Sequence, residues 1–335
     1  MVFNSEGASD TNGPDSHFAK KSLGQNFLKS ERALSNMVEA GDIREGETII
    51  EIGPGKGALT TKLLEKIKNT PESRLICIEK DDRLIPFLQE TYKQEIENGV
   101  LSLIHGDIID ILKDKKGFEA LVPLSKVPIS TVPASNSHSV DRSVDHSAGH
   151  STSHSAGHSS NYKVIANIPY YITGLIFRGI FSLDHLPEKI VLLVQKEVAN
   201  RIMAYGDNGQ TSSSDTDTAG KESILSISIK LYGKPRRVSV VPRGAFVPAP
   251  AVDSAIISVE GIARKIPKER DALFFDMIHA AFSHKRKRLA KNLESFSART
   301  SAQYEMLFEE LGLDKNVRAE DISIQTYIQL FERLI

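Results

Sequence analysis

Thr48-Ile49-Ile50-Glu51-Ile52-Gly53-Pro54-Gly55-Lys56-Gly57 reads as a short buried strand that turns on three glycines directly into a helix. The helical pattern starts near Ala58 and sets Leu59, Leu63, Leu64 and Ile67 on one face. Glycines at such a turn let the backbone approach a ligand, and the helix N-terminus favours an anionic group. Spacing narrows the choice of ligand. The pattern is G-x-G-x-G, neither the G-x-G-x-x-G of dinucleotide folds nor the longer phosphate loop that closes on Gly-Lys-Ser/Thr, so pyrophosphate is not the natural guess.

Working outward, the next strand is Arg74-Leu75-Ile76-Cys77-Ile78, which ends at Glu79, a carboxylate placed to take both hydroxyls of a ribose. A third, Leu101-Ser102-Leu103-Ile104, runs into His105-Gly106-Asp107. Asp107 by itself reads equally as an acceptor for an adenine amino group or as a cap for the following turn. A fourth run, Lys163-Val164-Ile165-Ala166, stops at Asn167-Ile168-Pro169-Tyr170-Tyr171. An amide, backbone carbonyls and an aromatic face at one strand tip suit a flipped-out adenine, although Asn and Pro in such clusters also mark plain turns. Four strands ending in Gly53, Glu79, Asp107 and Asn167 would share one carboxyl edge of a parallel sheet, where open α/β folds bind ligands.

The totals are those of an ordinary globular chain: 335 residues, 40% hydrophobic, 25% charged, formal net charge −1. One cysteine, Cys77, excludes a disulfide framework. Residues 1–17 are small and polar, without the apolar core of a signal peptide, and no stretch is apolar for long enough to span a bilayer. The expectation is a soluble cytoplasmic protein with a disordered tail.

Two insertions interrupt the pattern. From about 113 to 161 it decays into a Ser/His/Gly-rich tract in which His146, His150, His154 and His158 recur every fourth residue. On a helix these would stack as metal ligands, but Gly149, Gly157 and the serines argue for a flexible insertion. A polar loop follows at about 207–220, after the strand Lys189–Val194 and a helix over 195–202. Ile224–Tyr232 is ambiguous between helix and strand, and Arg236–Val241 and Ala255–Val259 read as strands. Between these last two, Pro248 and Pro250 stiffen a loop that would present Phe246 opposite Tyr170 as half of a base sandwich. Residues 263–335 are helical by period. Lys285, Arg286, Lys287, Arg288 and Lys291, five basic residues on a helix, are either a solvated face or a phosphate-contacting surface.

Taken together, Gly-Gln-Asn-Phe-Leu (24–28), Glu-Ile-Gly-Pro-Gly-Lys-Gly (51–57), Ile-Glu-Lys-Asp (78–81), Gly-Asp (106–107), Asn-Ile-Pro-Tyr (167–170), Gln-Lys-Glu-Val-Ala (195–199) and Phe-x-Pro-x-Pro-x-Val-x-Ser (246–254) resemble the KsgA-type ribosomal RNA adenine dimethyltransferases. The resemblance implies a Rossmann-like S-adenosylmethionine-dependent methyltransferase domain over 18–262 and a small helical RNA-binding domain over 263–335. It implies dimethylation of N6 on two adjacent adenosines in a hairpin near the 3′ end of small-subunit rRNA. An immature small subunit is the expected partner, acted on by a monomer without metal. Cofactor contacts would fall on Asn26, Leu28, Gly53, Glu79, Asp107 and Asn167. Asn167 and the Pro169 carbonyl would accept from the target amine, with Tyr170 and Phe246 holding the base. Competing readings are a large-subunit rRNA methyltransferase of the macrolide-resistance type, and a non-catalytic assembly factor that kept the fold. An NAD-dependent oxidoreductase is disfavoured by the glycine spacing and by Asn-Ile-Pro-Tyr.

Overall fold

The computed structural model describes residues 25–122, 162–204 and 221–335. A short strand β1 (Phe27–Leu28) leads into α1 (Glu31–Gly41), whose N-terminus is capped by the Ser30 hydroxyl accepting from Ala33 N. Leu34, Met37 and Val38 on this helix face the core at the spacing the sequence shows. Then come β2 (Thr48–Ile52), α2 (Ala58–Ile67), β3 (Arg74–Glu79), α3 (Ile85–Thr91), α4 (Lys93–Glu97), β4 (Leu101–His105) and α5 (Ile108–Lys113), with β2, α2, β3 and β4 where the pattern predicts them. All five residues of β2 are buried, as is every residue of β3 after Arg74. That is the mark of parallel strands covered on both faces.

The expectation that the pattern ends near 113 is corrected. Lys115–Leu121 forms a further helix, α6, which buries Phe118 edge-on against Tyr162. Its polar entry, Asp114-Lys115-Lys116, conceals it in the sequence, because a single buried ring in seven residues gives no readable period. The four spaced histidines lie outside the described residues.

After β5 (Tyr162–Asn167) come α7 (Thr173–Phe181), β6 (Lys189–Gln195), α8 (Lys196–Met203), α9 (Ile224–Lys230), β7 (Lys234–Val241), β8 (Phe246–Val247) and β9 (Ser254–Glu260). The ambiguous 224–232 stretch is thus helix, started by a reciprocal Ser223/Ser226 capping box. Seven strands make one sheet in the order β4-β3-β2-β5-β6-β9-β7, and only β9 runs against the others. β2 and β5 lie side by side, with β3 and β4 to one side and β6 to the other, so the order of strands reverses between their tips. β1 pairs with β8 across that edge, Phe27 opposite Val247.

Alternate residues fill opposite faces. Ile50, Ile76, Val164 and Leu192 point to the α5–α9 side, while Ile49, Leu75, Ile165 and Val191 pack against α1, α2 and α3. The chain closes with α10 (Asp271–Ala281), α11 (Leu289–Leu293), α12 (Ser301–Glu310) and α13 (Ile324–Leu334). Their buried residues, among them Phe274, Tyr304 and Tyr327, are continuous with the core on the α5–α9 face. The seam is also polar: Asp271 accepts from Tyr232 Oη at 2.8 Å and from Arg264 at 2.9 Å, and Arg264 donates to the Leu183 carbonyl. Lys285 to Arg288 are not on a helix, as the sequence suggests, but in the exposed turn between α10 and α11.

Candidate active site

The strand edge opens into a cavity of about 650 Å³ whose walls include Asn26, Leu28, Gly53, Glu79, Asp107, Asn167, Pro169 and Tyr170. Gly53 and Asn167 meet at its centre, where the strand order reverses. Gly53 sits at φ 69°, and a Cβ built on it would come no closer than 3.9 Å, to the Asn167 carbonyl. Space at this turn is therefore left for a ligand rather than filled by the chain.

Glu79 is braced from two sides. Its Oε2 accepts from Gly55 N at 3.0 Å and its Oε1 from Asp81 N at 2.7 Å. Burial pushes its carboxyl up, an effect that these backbone N–H groups partly offset. Asp81 behind it is held well below the usual carboxylate range by Arg83, with Gln25 donating as well at 2.9 Å. Asp107 does both of the things its sequence position allows. It caps α5, accepting from Ile109 N at 2.9 Å, and it lines the cavity, with Lys80 bound to its Oδ2 at 2.6 Å. Burial raises its carboxyl, but Lys80 and the Ile109 N–H outweigh that and hold it low.

Sequence reasoning passes over Glu51. It is 1% exposed beneath the glycine turn, where Thr60 Oγ1 donates to Oε2 at 2.7 Å and Cys77 Sγ at 3.3 Å, and burial pushes its carboxyl up to about 7. An acid in the middle of a strand otherwise apolar is the available signal.

At the other end, Asn167 Nδ2 donates to the Asn26 carbonyl at 3.4 Å. One of the amide's two N–H groups is thus engaged, and its oxygen is left to accept. The Pro169 carbonyl accepts from Ile172 N at 3.2 Å, closing the turn Tyr170–Ile172, and keeps a second lone pair. Tyr170 is half-buried with its hydroxyl 2.6 Å from Ser254 Oγ, and burial raises its phenol despite that bond. Phe246 departs from expectation. At 3% exposure it is packed into the core on the α1–α3 side and does not line the cavity; Val247 does. Strand pairing of β8 with β1 turns Phe246 inward, where the two prolines suggest that it would be presented. Tyr170 lines the cavity and also packs against that same core.

Arg288, at the end of the exposed turn, is bound to Glu305 at 2.7 Å, and Lys291, on α11, to Glu294 at 2.6 Å. The side chains of Lys285, Arg286 and Lys287 form no ion pair among the described residues. Buried Asn292 donates to the carbonyls of Ala281 at 2.6 Å and His284 at 3.1 Å, which fixes where the turn leaves α10. Among the described residues, no group of three or more His, Cys, Asp or Glu is placed to hold a metal ion, and no helix is long and apolar enough to cross a membrane.

A family profile described as ribosomal RNA adenine dimethylase matches residues 16–335. The chain is 32% identical, over 93% of its length and 87% of the relative's, to the ribosomal RNA small subunit methyltransferase A of Dehalococcoides mccartyi. Among solved structures, the 23S rRNA methyltransferase ErmE covers 92% of this chain and 99% of its own at TM-score 0.58 and 19% identity. A dimethyladenosine transferase from Plasmodium falciparum covers 92% and 97% at TM-score 0.58 and 23% identity. These two speak to the fold alone.

Proposed function

Because the chain belongs to the ribosomal RNA adenine dimethylase family, we propose that its cleft methylates N6 of two adjacent adenosines in small-subunit rRNA, in a hairpin near the 3′ end. It is an S-adenosylmethionine-dependent rRNA adenine dimethyltransferase with a Rossmann-like fold. We place its action in the cytoplasm, on an immature small subunit, as a monomer with no metal. Residues 18–262 carry the chemistry in this reading and 263–335 the RNA grip, through Lys285, Arg286, Lys287, Arg288 and Lys291. The observation that carries the reading is that the four strand ends Gly53, Glu79, Asp107 and Asn167 line one cavity.

The donor set fits the cofactor. Gly53 leaves its backbone open, Glu79 keeps a lone pair on each oxygen for a ribose diol, and Asp107 retains acceptor capacity for an adenine amine beside Asn26 and Leu28. S-adenosylmethionine supplies a methyl group on a positively charged sulfur. The protein's task is then to hold the amine in line with it. In the first transfer Asn167 Oδ1 and the Pro169 carbonyl accept the two N6 hydrogens, and in the second one of them accepts the single hydrogen that remains, which draws the nitrogen lone pair out of conjugation with the ring and aims it. Tyr170 gives the base a face to lie on, and Phe246 reaches it only after moving from its buried seat. No general base is required, since the amine becomes acidic as the new bond forms and its proton leaves to solvent.

Purified protein, S-adenosylmethionine and small subunits from a strain lacking the modification test this, with nucleoside mass spectrometry as the readout. N6,N6-dimethyladenosine in the small-subunit RNA is the expected result. Methylation confined to large-subunit RNA would move the chain to the other subunit, and RNA binding without methylation would make it an assembly factor.

A further inference from the structure

We propose that Tyr171 is a stacking platform for an RNA base, the neighbour of the adenosine held at Asn167; the inference rests on the function proposed above. Tyr171 is 64% exposed, directly after a tyrosine whose hydroxyl is tied to Ser254. One helical turn on, Leu175 is 46% exposed, and both side chains line the outer part of the cavity. Single exposed apolar residues are ordinary on protein surfaces. This pair is set apart by its place, at the tip of the strand that carries Asn167 and on the lip of the same cleft.

The chemistry of the lip points to a base rather than a phosphate. Of the four lysines lining the cavity, Lys80 and Lys113 are bound to Asp107 and Asp110 at 2.6 and 2.7 Å. Tyr171 and Leu175 add exposed surface that is flat and apolar. A cofactor lying along Gly53, Glu79 and Asp107 is enclosed by the cleft, whereas a ring this exposed meets what arrives from solvent. An adenosine rotated out of an RNA strand leaves its neighbour without a stacking partner, and an aromatic ring replaces that partner for any base. Because the surface is sequence-tolerant, it can serve whichever of two adjacent adenosines is not in the pocket.

The test uses the full chain and unmodified small subunits, with Tyr171→Ala, Tyr171→Phe and Tyr171→Trp. Loss of the ring is expected to raise KM for the RNA about tenfold, with kcat and the calorimetric affinity for S-adenosylhomocysteine unchanged. Phe is expected to behave as wild type and Trp to bind RNA at least as well. An Ala variant with wild-type KM would overturn the proposal. A weaker S-adenosylhomocysteine complex at unchanged RNA KM would also overturn it, by giving the ring to the cofactor's adenine. If the wild type methylates neither adenosine, the proposed function falls and this inference with it, a result distinguishable because no variant need be compared.

Discussion

On the β3–β4 side of the cleft the carboxylates are already fixed by backbone: Glu79 by the N–H groups of Gly55 and Asp81, Asp107 by that of Ile109. At the Asn167 end only the amide is aimed, by the Asn26 carbonyl, while Tyr170 is tied to Ser254 and Phe246 is in the core. In the function proposed above, the difference would follow from what each side receives. A small cofactor of constant shape is best met by groups that need no rearrangement. Two rings with nothing between them would leave apolar surface in water, and both pack against the protein's own core.

The sharpest break in that comparison is Asn167→Ala. Turnover is expected to fall on the order of 10²- to 10³-fold while RNA affinity stays near wild type, measured by single-turnover methylation and filter binding. Wild-type turnover would remove Asn167 from the target pocket.

Glu51 tests the cofactor end by pH. Its carboxyl titrates near 7 when folded against 4.5 for the free group, so the folded chain holds the extra proton between these values. Stability therefore falls as pH rises through that window, by about 3 kcal/mol in all. Glu79 is also raised and acts in the same direction. Denaturant unfolding at pH 5 and pH 8 should show the fall in wild type and much less of it in Glu51→Gln; equal slopes would mean that Glu51 is not the group responsible.

The glycine turn gives a graded pair. Gly57→Ala places a Cβ 2.1 Å from Tyr92 Oη at φ 83°, whereas Gly53→Ala, at φ 69°, meets nothing nearer than 3.9 Å. The second should lose about 1–2 kcal/mol from the left-handed backbone alone and the first more, read as two unequal drops in Tm. Cofactor affinity should suffer relatively more in Gly53→Ala, because its Cβ enters the cleft rather than the core.

The smallest effect is expected from Ser254→Ala. Losing one hydrogen bond of about 1 kcal/mol frees Tyr170, for a change of a few fold in kcat. Tyr170→Phe should match it, and the double variant should be no worse than either. Additive losses would show that Ser254 acts on something other than Tyr170.

The strand edge is legible because its signals are local. An apolar run, a glycine turn with its spacing and an acid at a strand end each reveal themselves within a short window, and Gly53, Glu79, Asp107 and Asn167 do line one cavity. What escapes depends on partners far along the chain. Phe246 is turned inward by pairing with β1, at the opposite end of the catalytic sheet's sequence, and its flanking prolines carry no trace of that. Glu51 is set by Thr60 and Cys77 on two other elements. The basic run reads as helix because its composition allows one, and Asn292 instead holds its start as a turn. Tyr171 is visible at its strand tip but shows no task there, because exposure is a property of the folded surface.

The seam between the sheet and the C-terminal helices sets a length. Phe181 stacks on Tyr232 at 4.4 Å, Arg264 lies over the same ring, and Asp271 ties both to α10. One core runs through from the sheet to the C-terminal helices, joining the element before the basic turn to the strand that carries Asn167. If, as proposed above, RNA is gripped at the turn while its base sits at Asn167, the RNA's own fold would have to span the distance between the two, and the protein would act as a caliper that refuses a strand with the right bases at the wrong distance.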